Sequence, residues 1–307
     1  MTLGSAPRPV TYHRTTTVDG LKIFYREAGP ADAPILVLLH GFPSSSHMYR
    51  NLIPALADAY RVIAPDLPGF GLSAAPPLGS FGYGFAAFAD VVDGLLEQLG
   101  AGSYALYVMD YGAPTGFRLA LRHPDRITAL IVQNGNTYEE GMKDFWNATR
   151  ALWADNSEAN RNAMLPFFTL EGTRFQYVAG VKDEARIDPA AWLYDQLFLD
   201  RPGNVAIQFE IINDYRTNVA LYPEIHAYFR KFQPPMLILW GQNDPIFAID
   251  GAMAFHRDLP CAELHLLDTG HFALEDKADE MVPLIRDFLG RHLPDQPPSP
   301  VNTRRGA

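Results

Sequence analysis

Short apolar segments of strand length recur along this 307-residue chain and alternate with stretches of helical patterning. The segments are Ile35 to Leu39, Arg61 to Ala64, Tyr104 to Met109, Ile127 to Val132, Met236 to Trp240 and Glu263 to Leu267. Strands separated by a helix cannot close a tight hairpin, so they pair in parallel through crossovers, and near-continuous apolar runs suit strands covered on both faces. Helical patterns at Ser46 to Ala57, Phe85 to Leu99, Ala113 to Arg122 and Ala278 to Leu293 stand where the crossovers and a closing helix belong. The expected fold class is α/β, a mostly parallel, doubly wound sheet between helical layers.

From about Thr137 to Gln233 the rhythm breaks into amphipathic pieces rich in Trp, Phe, Tyr and Asn, without a clear strand. This reads as an inserted helical cap, and Pro234-Pro235 marks the return to the sheet, because proline stops a helix and extends its neighbour. The expected division is a core over 1–136 and 234–293, a cap over 137–233, and a disordered proline- and arginine-bearing tail over 294–307.

Composition excludes several classes of function. The 35 acidic against 25 basic side chains give a net charge of -10 and argue against nucleic acid as a partner. No apolar run approaches the ~20 residues of a membrane helix. Residues Met1 to Gly20 are polar where a signal peptide would be apolar, and the single Cys261 can form neither an internal disulfide nor a multi-cysteine metal site. A cytoplasmic monomer or homodimer is expected, with neither a nucleic-acid nor a membrane partner.

Three segments carry chemistry. Tyr104-Ala105-Leu106-Tyr107-Val108-Met109-Asp110-Tyr111-Gly112-Ala113 runs from strand through small residues into helix, the setting of a nucleophile elbow, with Asp110 at its apex. Taken alone, Asp110 could equally be a helix cap. Ile238-Leu239-Trp240-Gly241-Gln242-Asn243-Asp244-Pro245 places an acid past a strand end, where parallel sheets build sites, and Leu266-Leu267-Asp268-Thr269-Gly270-His271-Phe272 places a histidine after the last strand. Asp244 could be a turn residue and His271 a satisfied loop histidine, but the order nucleophile, acid, histidine makes Asp110, Asp244 and His271 a candidate triad. The other histidines read as surface or packing residues, with His47 a weaker pocket candidate. His40 is read as structural, because the backbone beside it matters more. The turn His40-Gly41-Phe42-Pro43 and the residue after the nucleophile would supply oxyanion-hole N–H groups from Phe42 and Tyr111. Gly69-Phe70-Gly71 lacks the rest of a phosphate-loop motif and reads as a loop needing unusual dihedrals.

From about Val18 to Leu293 the chain resembles the epoxide hydrolase and haloalkane dehalogenase branch of the α/β-hydrolase fold. The resemblance is carried by His40-Gly41-Phe42-Pro43, Asp66-Leu67-Pro68-Gly69-Phe70-Gly71-Leu72-Ser73, Asp110-Tyr111-Gly112, Trp240-Gly241-Gln242-Asn243-Asp244 and Gly270-His271-Phe272. It implies an aspartate nucleophile under a helical cap. Epoxide hydrolases of this branch hold the epoxide oxygen with two cap tyrosines. Asp214-Tyr215-Arg216-Thr217-Asn218 looks like the segment of the second, which makes Tyr215 the ring-opening candidate. The first is missing from Ala151-Leu152-Trp153-Ala154-Asp155, leaving Tyr177 as the fallback. Haloalkane dehalogenases carry tryptophan directly after the nucleophile, where this chain has Tyr111, and fluoroacetate-type enzymes carry arginines there. In the other direction, Val108 stands where many epoxide hydrolases have glycine.

The resemblance thus implies a hydrolase working through a covalent ester on Asp110, first an epoxide hydrolase. Alternatives are a haloalkane or haloacid dehalogenase, an ester or lactone hydrolase, and a non-catalytic ligand-binding receptor. The partners would be a small apolar substrate and water, with Trp153, Tyr177 and Phe247 lining the pocket. No metal or organic cofactor is required.

Overall fold

The computed structural model describes residues 9–293. The expected tail over 294–307 lies outside the described residues. Eight strands form one sheet: β1 (Tyr12–Val18), β2 (Leu21–Ala28), β3 (Ile35–Leu39), β4 (Arg61–Pro65), β5 (Tyr104–Met109), β6 (Ile127–Gln133), β7 (Met236–Gly241) and β8 (Glu263–Leu267). Their order is β1-β2-β4-β3-β5-β6-β7-β8. All neighbours from β4 to β8 are parallel, and β2 alone runs against the rest, antiparallel to both β1 and β4. The six strands expected from sequence are all present, and the sheet is mostly parallel as expected.

The hairpin β1–β2 is additional. Its turn is Asp19-Gly20, both at positive φ (47° and 80°), a geometry that matches the twist of a two-residue hairpin. Most of β1 is solvent-exposed, so an edge strand of His, Arg and Thr offers no apolar run to read.

Alternation along the central strands feeds two cores. Val37, Leu39, Leu106 and Val108 face one side, where they pack with α2 (Phe85–Gln98) and α3 (Gly112–Arg122). Leu36, Leu38, Tyr107 and Met109 face the other, against α1 (Leu52–Leu56) and α11 (Leu274–His292). Each such aliphatic side chain taken from water contributes about 1.5–3 kcal/mol. With both faces covered, β5 and β7 are buried at every position. The pattern expected over Ser46 to Ala57 divides into a 3-10 turn at Ser46–Tyr49 and the short α1, while α11 starts at Leu274, with Glu275 and Asp276 in its first turn. Acidic residues there are favoured by the helix dipole.

Between β6 and β7 the described elements are all helical: α4 (Asn147–Ala154), α5 (Glu158–Met164), α6 (Leu170–Val178), α7 (Pro189–Leu199), α8 (Asn204–Asp214) and α9 (Arg216–Phe232), joined by short 3-10 turns. Local capping punctuates them. Thr169 accepts from Gly172 N–H at the head of α6, and Asp188 accepts from Ala190 N–H beside Pro189 at the first position of α7. The α8–α9 junction is pinned to the sheet-covering helices from two sides. Asp214 Oδ2 accepts from Phe85 N–H at 2.9 Å, capping α2, and Arg118 of α3 donates to Asn218 Oδ1 at 2.6 Å and Thr217 Oγ1 at 3.0 Å. Tyr215 lies between these anchors.

Strand β4 lies on one side of β3 and β5 on the other, so the carboxyl ends of β3 and β5 flank a topological switch point, where open α/β sheets bind ligands. Strand β3 and helix α3 touch closely there. A Cβ on Gly112 would stand 2.0 Å from the Leu39 carbonyl oxygen and one on Gly116 2.5 Å from Val108 Cγ1. Gly112→Ala should therefore lower Tm by about 2–5 °C, as expected of overpacking in a chain of this size. An unchanged calorimetric Tm would show that helix and strand can separate without strain.

Candidate active site

Asp110 stands between β5 and α3 with φ of 47°, unusual for a residue with a Cβ. That backbone twist turns its carboxylate out of the sheet toward the loop after β3. Phe42 N–H donates to Asp110 Oδ1 at 2.7 Å, and Tyr111 N–H supplies a second bond. Gly41 makes the approach possible, since a Cβ there would lie 2.3 Å from Asp110 Cβ. The two backbone donors expected from the sequence thus converge on the carboxylate of the elbow residue.

His271, fully buried, directs Nε2 toward Asp110 Oδ2 at 3.8 Å, with no hydrogen bond on that nitrogen. Its Nδ1 lies 2.7 Å from Asp244 Oδ2. Asp244 is itself fixed, accepting from Ile246 N–H at 2.7 Å and from Asn134 Nδ2 at 2.8 Å. With the Nδ1 proton shared with Asp244, Nε2 is the atom left to exchange a proton on the Asp110 side. The three residues expected to form a triad are brought together.

Asn134 was not identified from sequence. It follows β6 at φ of 41°, and its Oδ1 accepts from Gly241 N–H at 2.9 Å while its amide holds Asp244. Asparagine tolerates this left-handed backbone better than most residues. The signal available was Asn134-Gly135 at the carboxyl end of a buried strand.

Burial pushes the Asp110 carboxyl up, and Asp244 adds to this; the His271 charge and the two N–H donors oppose it without restoring the ordinary value. Burial alone would lower the His271 pKa, but Asp244, through its charge and hydrogen bond, together with Asp110, outweighs it and leaves the ring above the ordinary histidine value. Among the described residues no group of three or more His, Cys, Asp or Glu could hold a metal ion, and no helix is long and apolar enough to cross a membrane.

A cavity of about 40 Å³ adjoins Asp110, lined by Phe42, Tyr111, Phe145, Trp146, Thr149, Met164, Phe167, Phe168, Gln176, Ile212 and Ile246. It is far below the ~300 Å³ at which sites for drug-sized ligands begin. Three residues expected to line it do not. Tyr177 donates its hydroxyl to Asp195 and stacks on Phe272 at 3.9 Å, because successive helix residues point about 100° apart and its neighbour Gln176 takes the cavity side. Trp153 donates its indole N–H to Ile212 O at 2.7 Å, and Phe247 packs behind the site against His271, ring centres 5.9 Å apart. His47 stacks on Tyr194, and burial with Arg50 and Arg26 lowers its pKa to about 4. His40 bridges two loops as a structural residue would, accepting from Leu67 N–H at 3.0 Å.

Tyr215 is fully buried, its ring 6.0 Å from Tyr111 and 4.7 Å from Trp146. Its hydroxyl has the Tyr222 hydroxyl and the Asp110 carboxylate as polar neighbours; it interacts with the Tyr222 hydroxyl without reaching full hydrogen-bond geometry. Burial first, then these neighbours, hold its pKa well above the ordinary phenol value, so it remains a proton donor.

A family model described as the alpha/beta hydrolase fold matches residues 34–278. The chain belongs to the α/β-hydrolase fold family. Among its relatives in that family, an uncharacterized hydrolase of Saccharomyces cerevisiae is 41% identical over 268 residues, covering 86% of this chain and 92% of the relative. A haloalkane dehalogenase of Mycobacterium marinum is 42% identical over 280 residues, covering 88% and 89%. In fold, this α/β-hydrolase is similar to the crystal structure of haloalkane dehalogenase DbeA from Bradyrhizobium elkani, with a TM-score of 0.74 at 24% identity over 94% of this chain and 100% of the other.

Asp244→Asn removes the charge that outweighs burial at His271. The His271 pKa should fall from above the ordinary histidine value to below it, read by NMR titration of the ring. An unmoved midpoint would show that Asp244 does not set the charge on the imidazole.

Proposed function

We propose that this α/β-hydrolase opens a small apolar epoxide to a vicinal diol through an ester on Asp110. The observation that carries this reading is the buried Tyr215 hydroxyl, beside the Tyr222 hydroxyl and within electrostatic reach of the Asp110 carboxylate. The indole N–H groups around the site are already committed to backbone carbonyls: Trp146 to Ile246, Trp153 to Ile212 and Trp240 to Phe247. A departing oxygen, which needs a proton, suits a phenol better than it suits the remaining N–H groups.

In the first half-reaction an Asp110 oxygen forms a bond to one epoxide carbon as the carbon–oxygen bond breaks, and the released oxygen takes the Tyr215 proton. The carboxylate is the nucleophile without needing a base. Alkylation removes the Asp110 charge, the smaller of the two that hold the His271 pKa up, which shifts the imidazole toward its neutral form. In the second half-reaction Nε2 takes a proton from water, whose oxygen attacks the ester carbonyl, and the Phe42 and Tyr111 N–H groups hold the oxyanion. Collapse breaks the acyl carbon–oxygen bond; the departing alkoxide takes the second proton of the water, which completes the diol and leaves Asp110 as the carboxylate, and the proton on His271 restores the Tyr215 phenol. Epoxide and water are consumed and nothing else is required.

Dehalogenation is the second reading, supported by the 42% identical Mycobacterium marinum relative. The same ester and the same hydrolysis would follow, with a halide departing in place of oxygen. Panels of epoxides and haloalkanes, scored for diol and halide, separate the two.

Two outcomes are expected. In Tyr215→Phe, alkylation by epoxides should slow by ~10- to 1,000-fold, and unchanged ring opening would remove the assigned role. In His271→Gln the ester should form and persist, so intact-protein mass spectrometry should show a stoichiometric adduct that peptide mapping places on Asp110. Its absence with bound substrate, or its location elsewhere, would overturn the two-step mechanism.

A further inference from the structure

The cavity beside Asp110 is walled by Phe, Trp, Met and Ile side chains, yet α6 places a primary amide in that wall. Gln176 is 3% exposed, its Nε2 is buried, and no hydrogen-bond partner meets that nitrogen. The other buried polar side chains of the same helix are satisfied from α7: Thr173 donates to Gln196 Oε1 at 2.7 Å, and Tyr177 donates to Asp195. Gln176 has no such neighbour, although a buried amide without a partner is costly and an apolar side chain of the same shape would not be. Thr149, the other uncharged aliphatic polar residue of the lining, turns its hydroxyl to Met164 Sδ at 4.0 Å and leaves the amide unpaired. A donor so placed finds its partner in what fills the cavity.

We propose that Gln176 is a substrate-contacting residue whose amide N–H, set in the cavity wall, binds the oxygen leaving the attacked carbon. This rests on the epoxide reading and supplies the second donor for which the sequence offered only Tyr177. The division of labour follows from the chemistry. An amide is too weak an acid to give up a proton, so Gln176 orients the oxygen and stabilises its developing charge, while the Tyr215 phenol transfers the proton.

The test is the rate of adduct formation in His271→Gln with and without Gln176→Leu, using an epoxide panel and mass spectrometry, with Tm measured on each protein. Gln176→Leu should slow alkylation by about 5- to 150-fold, the equivalent of one buried hydrogen bond. Tm should hold or rise, because the change removes an unpaired buried amide; a packing role would lower it. Unchanged alkylation, or slowing that merely follows a fall in Tm, overturns the proposal. If haloalkanes alkylate His271→Gln and epoxides do not, the epoxide reading fails separately. The Gln176→Leu effect on haloalkane alkylation then decides whether the amide serves a departing halide. No adduct from either class overturns both.

Discussion

The left-handed backbone at Asp110 and the bond from Phe42 N–H to its carboxylate fix the rest of the site. Holding an aspartate at φ of 47° costs conformational energy, which the surroundings must over-determine. They do so by close contact. Strand β5 ends under the elbow, α3 begins beyond it, and Gly112 lets α3 approach the Leu39 carbonyl of β3 closer than any side chain would permit. Gly41 does the same on the loop after β3, leaving room for the carboxylate. The sheet order that sends β4 and β5 to opposite sides of β3 is what puts these two loops next to each other.

Electrostatics follows from that placement. Asp110, Asp244 and His271 are all buried, and two carboxylates flank one imidazole. The His271 pKa is raised because the ring answers both, and that of Asp110 is raised because burial outweighs the help it receives. On the proposed reading, an ester on Asp110 would neutralise one carboxylate, relieving the burial of its charge and lowering the His271 pKa in the same event. A serine at this position would require the base before attack; a carboxylate requires it only afterwards.

What the sequence revealed follows the same physics. Strands β3 to β8 were legible because burial on both faces or against one core leaves apolar runs, and the triad was legible because each member sits just past such a run. The hairpin β1–β2 was not, since an exposed Thr-rich edge strand carries no hydrophobic signal beyond its Asp19-Gly20 turn. Gly69 and Gly71 do adopt positive φ, of 91° and 49°, with Asp66 filling the space a Cβ on Gly71 would need. Among the aromatics, Phe42 and Tyr111 from the strand ends and Trp146 and Phe168 from the helical segment reach the cavity, whereas Trp153, Tyr177 and Tyr215 do not line it. Cap helices have apolar residues on more than one face, so sequence alone does not say which face meets the core. Asn134 and Gln176 escaped notice because an amide reveals its role only through the partner it has or lacks.

Docking of the helical segment onto the core explains how so small a cavity coexists with a reactive carboxylate. Asp214 caps α2, while Thr217 and Asn218 receive the buried Arg118 guanidinium, whose pKa burial lowers to about 10. These charged and polar anchors flank Tyr215 and hold its hydroxyl among aromatic rings, where water would otherwise satisfy it. On the other wall, Met164, Phe167 and Phe168 close over Asp110, held mainly by apolar and ring contacts, with a weak bond from the Thr149 hydroxyl to Met164 Sδ at 4.0 Å. Moving their side chains breaks only the weak bond from Thr149 to Met164 Sδ, whereas moving the Asp214 to Asn218 segment breaks several stronger ones. On the proposed reading, the Tyr215 phenol is therefore anchored more firmly relative to Asp110 than is the largely apolar wall into which Gln176 is set.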